Sequence, residues 1–412
     1  TRLGCRGRRR RRRVCVLHDT TELSFKIHDN NPMRTHLSRV TSKTQGFSLH
    51  ASLCCSADGH RAPLGLLEMQ PFAHQKEREQ ADRPEQTCAF WRAEGGLYDN
   101  EQRRWLQSIL KTEESLLSQG LKGIHIGDRE ADDYGIVAPL LEREIDFVLR
   151  FSRKRLVKGA DEPDEDLKML TEALRSAALL GTRQVELGPR ADPGHERLRK
   201  RFPKRDGRTA TLEFRARQII FPRPLSQPED LPPQVTVWVV NALEMDPPEG
   251  EKPVHWILVT NQSCETLEQT LKVVDQYRAR WLIEEFFKSL KSGQRYENLQ
   301  HESAHALLNA LAIKSVIAWQ ALVLRYFSRH YPNYPAQMVV TRVQLLILLH
   351  KKKRIFKAEK PTVHEAMMAV ASLGGHIKNN GDPGWMVIMR GLKNLNDLHT
   401  GWNMAMEHAK KM

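Results

Sequence analysis

Residues 123–151 read as a strand (GIHIGD), a helix over 131–144 and a second strand (DFVLRF), joined by short loops. A strand–helix–strand succession of this kind joins parallel strands, because an antiparallel pair needs no crossover. The chain is therefore constrained at this point to an α/β layer rather than a helix bundle or a β-sandwich.

Upstream, RVCVLH at 13–18 is a short apolar run followed by Asp19-Thr20-Thr21. Two more strand-like runs, 47–53 and 63–67, flank Ala57-Asp58-Gly59. An Asp-Gly pair between apolar runs predicts a hairpin. Three such strands in succession suit a sheet edge. Residues 74–104 are polar and read as irregular. A helix is expected over 100–120, with Trp105, Leu106, Ile109, Leu110, Leu116 and Leu117 as its apolar positions and Gly120 as its stop.

Downstream, 153–206 is rich in charge, Pro and Gly, with one helix expected near 167–179. From Thr209 the period becomes two: TLEFRARQIIF, VTVWVVNAL and VHWILVT, separated by Pro-rich turns. This predicts an antiparallel β insert. From Cys264 the pattern turns helical and stays so to the C-terminus. Five segments follow: an Arg-rich leader at 1–13, a first core part at 14–157, a β-rich insert at 158–262, a second core part at 263–300, and a helical region at 301–412.

The 412 residues carry a net charge of +14 and a pI near 9.6. That excess points to a polyanionic partner, nucleic acid first and a membrane surface second. Eight of the positive charges are Arg within residues 1–13. The Arg run and the start at Thr1 read as a fragment or as translation from upstream of a natural start, with a nucleic-acid arm as the second reading. Six scattered cysteines form no CxxC pair, and no His cluster completes a zinc set, which fits a reduced, intracellular protein. Residues 306–324 are the most apolar stretch, but Asn309, Lys314 and Gln320 interrupt it, so a buried helix is expected rather than a membrane span.

The chemistry concentrates in YRARWLIEEFFKSLK, residues 277–291. At about 100° per residue, with Tyr277 at 0°, Arg280 falls near about −60°, Glu284 near about −20° and Lys291 near about −40°. Leu282, Ile283, Phe286, Phe287 and Leu290 fall on the opposite face. One helix thus buries its back and presents Tyr, Arg, Glu and Lys along its front. The plain alternative is a solvated face with helical salt pairs such as Glu284–Lys288. Asp19 and Asp128 each stand just past a strand-like run. Two such aspartates and a helical Glu supply the oxygen ligands that hard divalent ions take. Two ions about 3.5–4 Å apart clamp the attacking and leaving oxygens of an in-line displacement.

These residues resemble the bacterial cut-and-paste insertion-sequence transposases with a DDE triad and a YREK signature. Tyr277, Arg280, Glu284 and Lys291 meet Y-x2-R-x3-E-x6-K without a gap, and DREAD stands verbatim at 128–132. Asp19-Thr20-Thr21-Glu22-Leu23, PLGLL at 63–67, the segment from Pro247 to Thr260 and LGGHIKNNGDPGW at 373–385 are similar to further family motifs. The likeness covers residues 14–412. It implies a ribonuclease H-like mixed sheet flanked by helices, interrupted by the β insert and followed by a C-terminal helical region. Asp19, Asp128 and Glu284 would hold two Mg2+ ions, with Mn2+ able to substitute. Tyr277, Arg280, Lys291, Lys288 and Arg150 would contact DNA, and Trp256 and Trp281 would border a base pocket. For Arg150 an ordinary edge-strand charge, and for both Trp residues plain packing, stay open.

The likeness further implies double-stranded DNA as partner, strand cleavage at transposon ends, a hairpin intermediate and strand transfer. It implies a homodimer on DNA, built by residues 385–412 around Trp385, Leu392, Leu395, Leu398 and Trp402, or else these pack on the chain's own helix at 306–324. No membrane and no small-molecule cofactor are expected, and the location is the bacterial cytoplasm at the nucleoid. The chain departs from the family in two places. Only 18 residues precede Asp19, so the end-recognition region is expected to be missing, and a defective remnant is the alternative reading. Residues 26–45 differ from the Gly-rich stretch usual there. Asp29 is therefore a second candidate for the first carboxylate, but no apolar strand precedes it.

Overall fold

The computed structural model describes residues 11–27, 34–74, 85–93, 97–98, 101–161, 166–188, 192, 194, 196, 199, 203–377 and 381–411. Residues 1–10, Asp29 and residues 378–380 of LGGHIKNNGDPGW lie outside this set. The fold is mixed α/β and divides into two compact units. One joins Thr1–Val16 to Gln102–Arg280, and the other joins Leu17–Glu101 to Trp281–Met412.

The second unit holds strand β1 (Arg12–Lys26) from residue 17 onward, β2 (Ser38–Thr41), β3 (Thr44–Ser56), β4 (Pro63–His74) and β5 (Leu97–Tyr98). Their order is β5-β4-β3-β1, with β2 on β3. β3 and β4 form the expected antiparallel hairpin, and Gly59 takes a φ of +88° in its turn. β1 corrects the sequence reading. It continues through Asp19-Thr20-Thr21 to Lys26, so Asp19 lies inside the strand. Two adjacent β-branched residues and the alternation Leu23, Phe25 (buried) with Glu22, Lys26 (exposed) favour extension.

The span read as irregular contains helix Glu85–Ala93. Its fully buried Trp91 donates its indole N–H to the His36 carbonyl at 2.9 Å and packs on Phe47. Helices Ala304–His330, Arg342–Lys351, Val363–Leu373 and Trp385–Lys411 belong to the same unit. The last two cross closely at two glycines. A Cβ on Gly374 would run into the Val387 carbonyl, and one on Gly391 into that of Val370. Among the described residues, Ala304–His330 is the helix long and apolar enough to cross a membrane, and 39% of its most apolar window is buried within the fold.

The first unit carries β6 (Leu121–Gly127), β7 (Asp146–Phe151), β8 (Leu156–Gly159), β9 (Lys168–Met169), β10 (Leu179–Leu187), β11 (Arg208–Pro222), β12 (Gln234–Glu244) and β13 (His255–Thr260). β6 and β7 are parallel, as the strand–helix–strand unit requires. The period-two strands are antiparallel and continue the same sheet, because β13 pairs with β7. Within 153–206 the expected helix is short (Leu170–Arg175), and β8, β9 and β10 stand where no strand is expected. Those strands are brief or half-exposed, so they lack an apolar alternation to detect.

Helices Glu101–Ser118 and Tyr134–Glu142 pack on this sheet. Trp105, Ile109, Tyr134, Ile136, Phe147 and Leu149 share one core with Phe221 and Val237. Phe147, Leu149 and Phe151 face that core, so the alternate residues Val148 and Arg150 point to the other side. Helix Leu267–Arg278, closed at its start by a Thr266–Gln269 capping box, packs against β6 and β7.

Candidate active site

In the first unit, Asp128 follows β6 directly. Its carboxylate accepts the Glu130 amide at 2.9 Å and caps the short 3-10 turn Arg129–Ala131. The turn is tight because Gly127 has no Cβ, where one would meet Ala131, Leu149 and Trp105 at about 3 Å. The neighbouring acids differ from Asp128. Asp132 is fully buried and accepts the amides of Ser152 (2.7 Å) and Arg153 (2.8 Å) and the Arg155 guanidinium. Asp133 caps helix Tyr134–Glu142 and accepts from Gln102 (2.6 Å) and Gln227 (3.0 Å). Asp132 and Asp133 are engaged in folding, and Asp128, half-buried, retains access to solvent. The sequence reading passed over Asp132 and Arg155.

Arg150 on β7 donates to the His255 carbonyl at 3.1 Å. Leu258 stands opposite Arg150, which puts Trp256 of β13 on the same face. Trp256 meets Tyr277 edge-on, with centroids 5.5 Å apart. Tyr277 is only 4% exposed, so it does not stand on an open front as the helical projection expected. Burial, together with the Arg150 charge, holds the His255 imidazole below its usual pKa.

The projection also assumed one unbroken helix. Helix Leu267–Arg278 ends in a turn at Ala279 and Arg280. A second helix, Trp281–Lys288, then passes into a π stretch, Ser289–Gly293, where the Gln294 amide bonds to the Ser289 carbonyl five residues back. A turn and a π stretch both change the angle per residue, so a constant step cannot place all four signature residues on one stripe. Arg280 is half-buried.

In the second unit, Ile283, Phe286, Phe287 and Leu290 are buried as expected, and Leu282 is half-buried. Glu284 is half-buried, Lys288 is exposed and Trp281 is 64% exposed. Asp19 accepts the Thr20 amide at 2.9 Å. Thr20 Oγ1 lies 2.9 Å from His50 Nδ1, and His18 bonds to Ser52 at 2.9 Å while stacking on His50. Lys291 Nζ donates to Thr21 Oγ1 at 3.2 Å and lies 3.7 Å from Glu297, whose carboxylate also accepts the Ser24 amide. The two motifs DTT and YREK therefore touch within this unit.

Of the two alternatives for the C-terminal residues, packing on the chain's own helices describes most of them. Leu392 and Leu395 are buried against the neighbouring helices, Trp385 is 5% exposed under the Arg325 guanidinium, and Leu398 is half-buried. Trp402 is 44% exposed, on a tail whose side chains from 401 to 410 are all exposed.

Asp19, Asp128 and Glu284 offer carboxylate oxygens, the donor chemistry that fits a hard divalent cation. Among the described residues, no three His, Cys, Asp or Glu side chains are gathered as a ready cluster. A family model described as "Transposase DDE domain" matches residues 100–320, just over half of the chain. The matched span contains DREAD and all four YREK positions, and Asp19 lies before it.

Proposed function

Because the chain belongs to the transposase DDE domain family, we propose that it is a bacterial insertion-sequence transposase of the YREK type. The family acts on DNA by phosphodiester hydrolysis and transesterification and generally uses divalent metal ions. For this chain the reading is cleavage at transposon ends, a hairpin intermediate and strand transfer into target DNA, by a homodimer in the bacterial cytoplasm. The carrying observation is Asp128, capping a turn at the end of the parallel strand β6, inside the matched span that also holds Glu284. The parallel β6–β7 pair within a mixed sheet supports a ribonuclease H-like core.

Asp19, Asp128 and Glu284 form the donor set, and Mg2+, or Mn2+ in its place, is the ion that suits it, with two ions per site. When bound, such ions stabilise charge on the attacking and leaving oxygens. Arg280, Lys291, Lys288 and Arg150 hold phosphates by charge-assisted bonds. Trp281 offers an exposed face for base stacking, and Trp256, half-buried, a second one that buried Tyr277 keeps in place.

The test incubates the purified chain with labelled duplex copied from the DNA bordering its coding region, in Mg2+ or Mn2+. Nicks ending in a 3′-hydroxyl, followed by hairpin ends, are expected, and Glu284→Gln should remove both. Cleavage without hairpins would remove the hairpin step. No cleavage with either ion would overturn the reading.

A further inference from the structure

Residues 350–360 read HKKKRIFKAEK, with six Lys or Arg against the single acid Glu359. They lie in the second unit, between helices Arg342–Lys351 and Val363–Leu373. Lys351, Lys353, Arg354, Lys357 and Lys360 are exposed. Among the described residues none of these five is in an ion pair. Cations at a helix C-terminus are favoured by the helix dipole, but that effect fades beyond the last turn. It accounts for Lys351 and not for the residues from Lys353 onward.

The segment is also held in one shape. The Lys352 amide bonds to Leu348 at 2.8 Å, and the Ile355 amide bonds to Lys352 at 2.9 Å across a 3-10 turn. Ile355 and Phe356 are half-buried anchors. One oxygen of Glu365 accepts the amides of Lys357 (2.7 Å) and Ala358 (2.9 Å), and the other accepts that of Thr362 (3.1 Å). Beyond it, the Pro361 carbonyl is bound by the Ala336 amide at 2.9 Å. A carboxylate is thus spent on the backbone of the loop and leaves its cations uncompensated. Like charges so close gather counterions that a bound polyanion releases, and a loop already ordered loses little entropy when one binds.

We propose that this loop is a sequence-independent contact for the phosphate backbone of double-stranded DNA, separate from the DDE and YREK residues. The choice of DNA over another polyanion rests on the transposase reading. No base-reading contact is assigned to the loop, so it would add affinity without adding specificity.

The experiment measures binding of the full chain to an unrelated fluorescent duplex of about 30 base pairs, in EDTA, over a range of salt. The variant carries Lys351→Gln, Lys353→Gln, Arg354→Gln and Lys357→Gln, all at exposed positions. Removing a cation that neutralises one phosphate lowers the salt slope by about one unit. We expect the slope to fall by about two to four units and affinity to drop at least about tenfold at moderate salt, with an unchanged circular dichroism spectrum. A slope within half a unit of the parent overturns the proposal, and so does a parent chain that does not bind the duplex. Loss of binding to phosphatidylserine vesicles with duplex binding intact would make the loop a membrane contact instead. Because EDTA removes catalysis, a parent that binds in this way but never cleaves end DNA in Mn2+ would sink the transposase reading and leave the loop standing.

Discussion

Lys291 Nζ donates to Thr21 Oγ1 at 3.2 Å, although the two residues are 270 positions apart. Thr21 stands two residues after Asp19 on β1, and Lys291 lies in the π stretch after the helix that carries Glu284. The five-residue hydrogen bond of that stretch changes the rotation before Lys291. Within this unit, the motif lysine therefore docks on the motif strand, with Glu297 beside it at 3.7 Å.

Asp19→Asn, Asp128→Asn and Glu284→Gln should each lower Mg2+- or Mn2+-dependent cleavage of end DNA by at least about a hundredfold. Asn at 128 retains an oxygen for the Glu130 amide, so the turn should survive. Plasmid nicking, read beside thermal melting, checks this. Loss of activity with a fallen melting temperature in all three would assign them to folding.

Asp132→Ala should behave in the opposite sense to Asp128→Asn. It would strand the buried Arg155 guanidinium and remove the acceptor of the Ser152 and Arg153 amides, a loss of about 3–5 kcal/mol. Urea titration of both variants separates them, because only the Asp132 change should shift the midpoint by a large amount.

Tyr277→Ala should destabilise the first unit by about 3 kcal/mol through lost packing on Trp256. Arg280→Ala should lower the salt slope of end-DNA binding by about one unit. Equal slopes for Arg280→Ala and the parent would remove Arg280 from the DNA contact.

Burial works to raise the Glu365 pKa, but the amides of Lys357, Ala358 and Thr362 outweigh it and hold the carboxyl below its usual value. A carboxylate depressed on folding contributes stability above its unfolded pKa of about 4.3, lost as pH falls through the folded value. Glu365→Gln should therefore cost about 1 kcal/mol at pH 7 and progressively less as pH falls below about 4. Parallel denaturant curves at both pH values are the measurement, and a pH-independent difference would remove the charge from the explanation.

Leu395 has no exposed surface, so Leu395→Asp should cost about 4 kcal/mol, whatever the oligomeric state. Trp402→Asp, on the exposed tail, should leave the melting temperature unchanged. If that tail joins two copies on DNA, sedimentation with end duplex should show the dimer reduced by Trp402→Asp. An undiminished dimer would place the interface elsewhere.

The amino-acid sequence alone predicts the parallel β6–β7 pair, the hairpin at Gly59, the antiparallel run from β11 to β13 and the buried back of helix Trp281–Lys288. Each is a local signal, a period or a turn residue, that needs no knowledge of a partner. It also supplied the DDE and YREK spacing that the family match encloses in all but Asp19. The assembled fold is what buries Asp132 under Arg155 while Asp128 keeps access to solvent, although both stand in one five-residue motif. Packing likewise covers Tyr277 with Trp256 and places Leu395 inside while Trp402 stays out. A periodic pattern marks which side chains avoid water but not which element arrives to cover them. A constant helical step, moreover, cannot foresee a turn at Arg280 or a π stretch at Ser289.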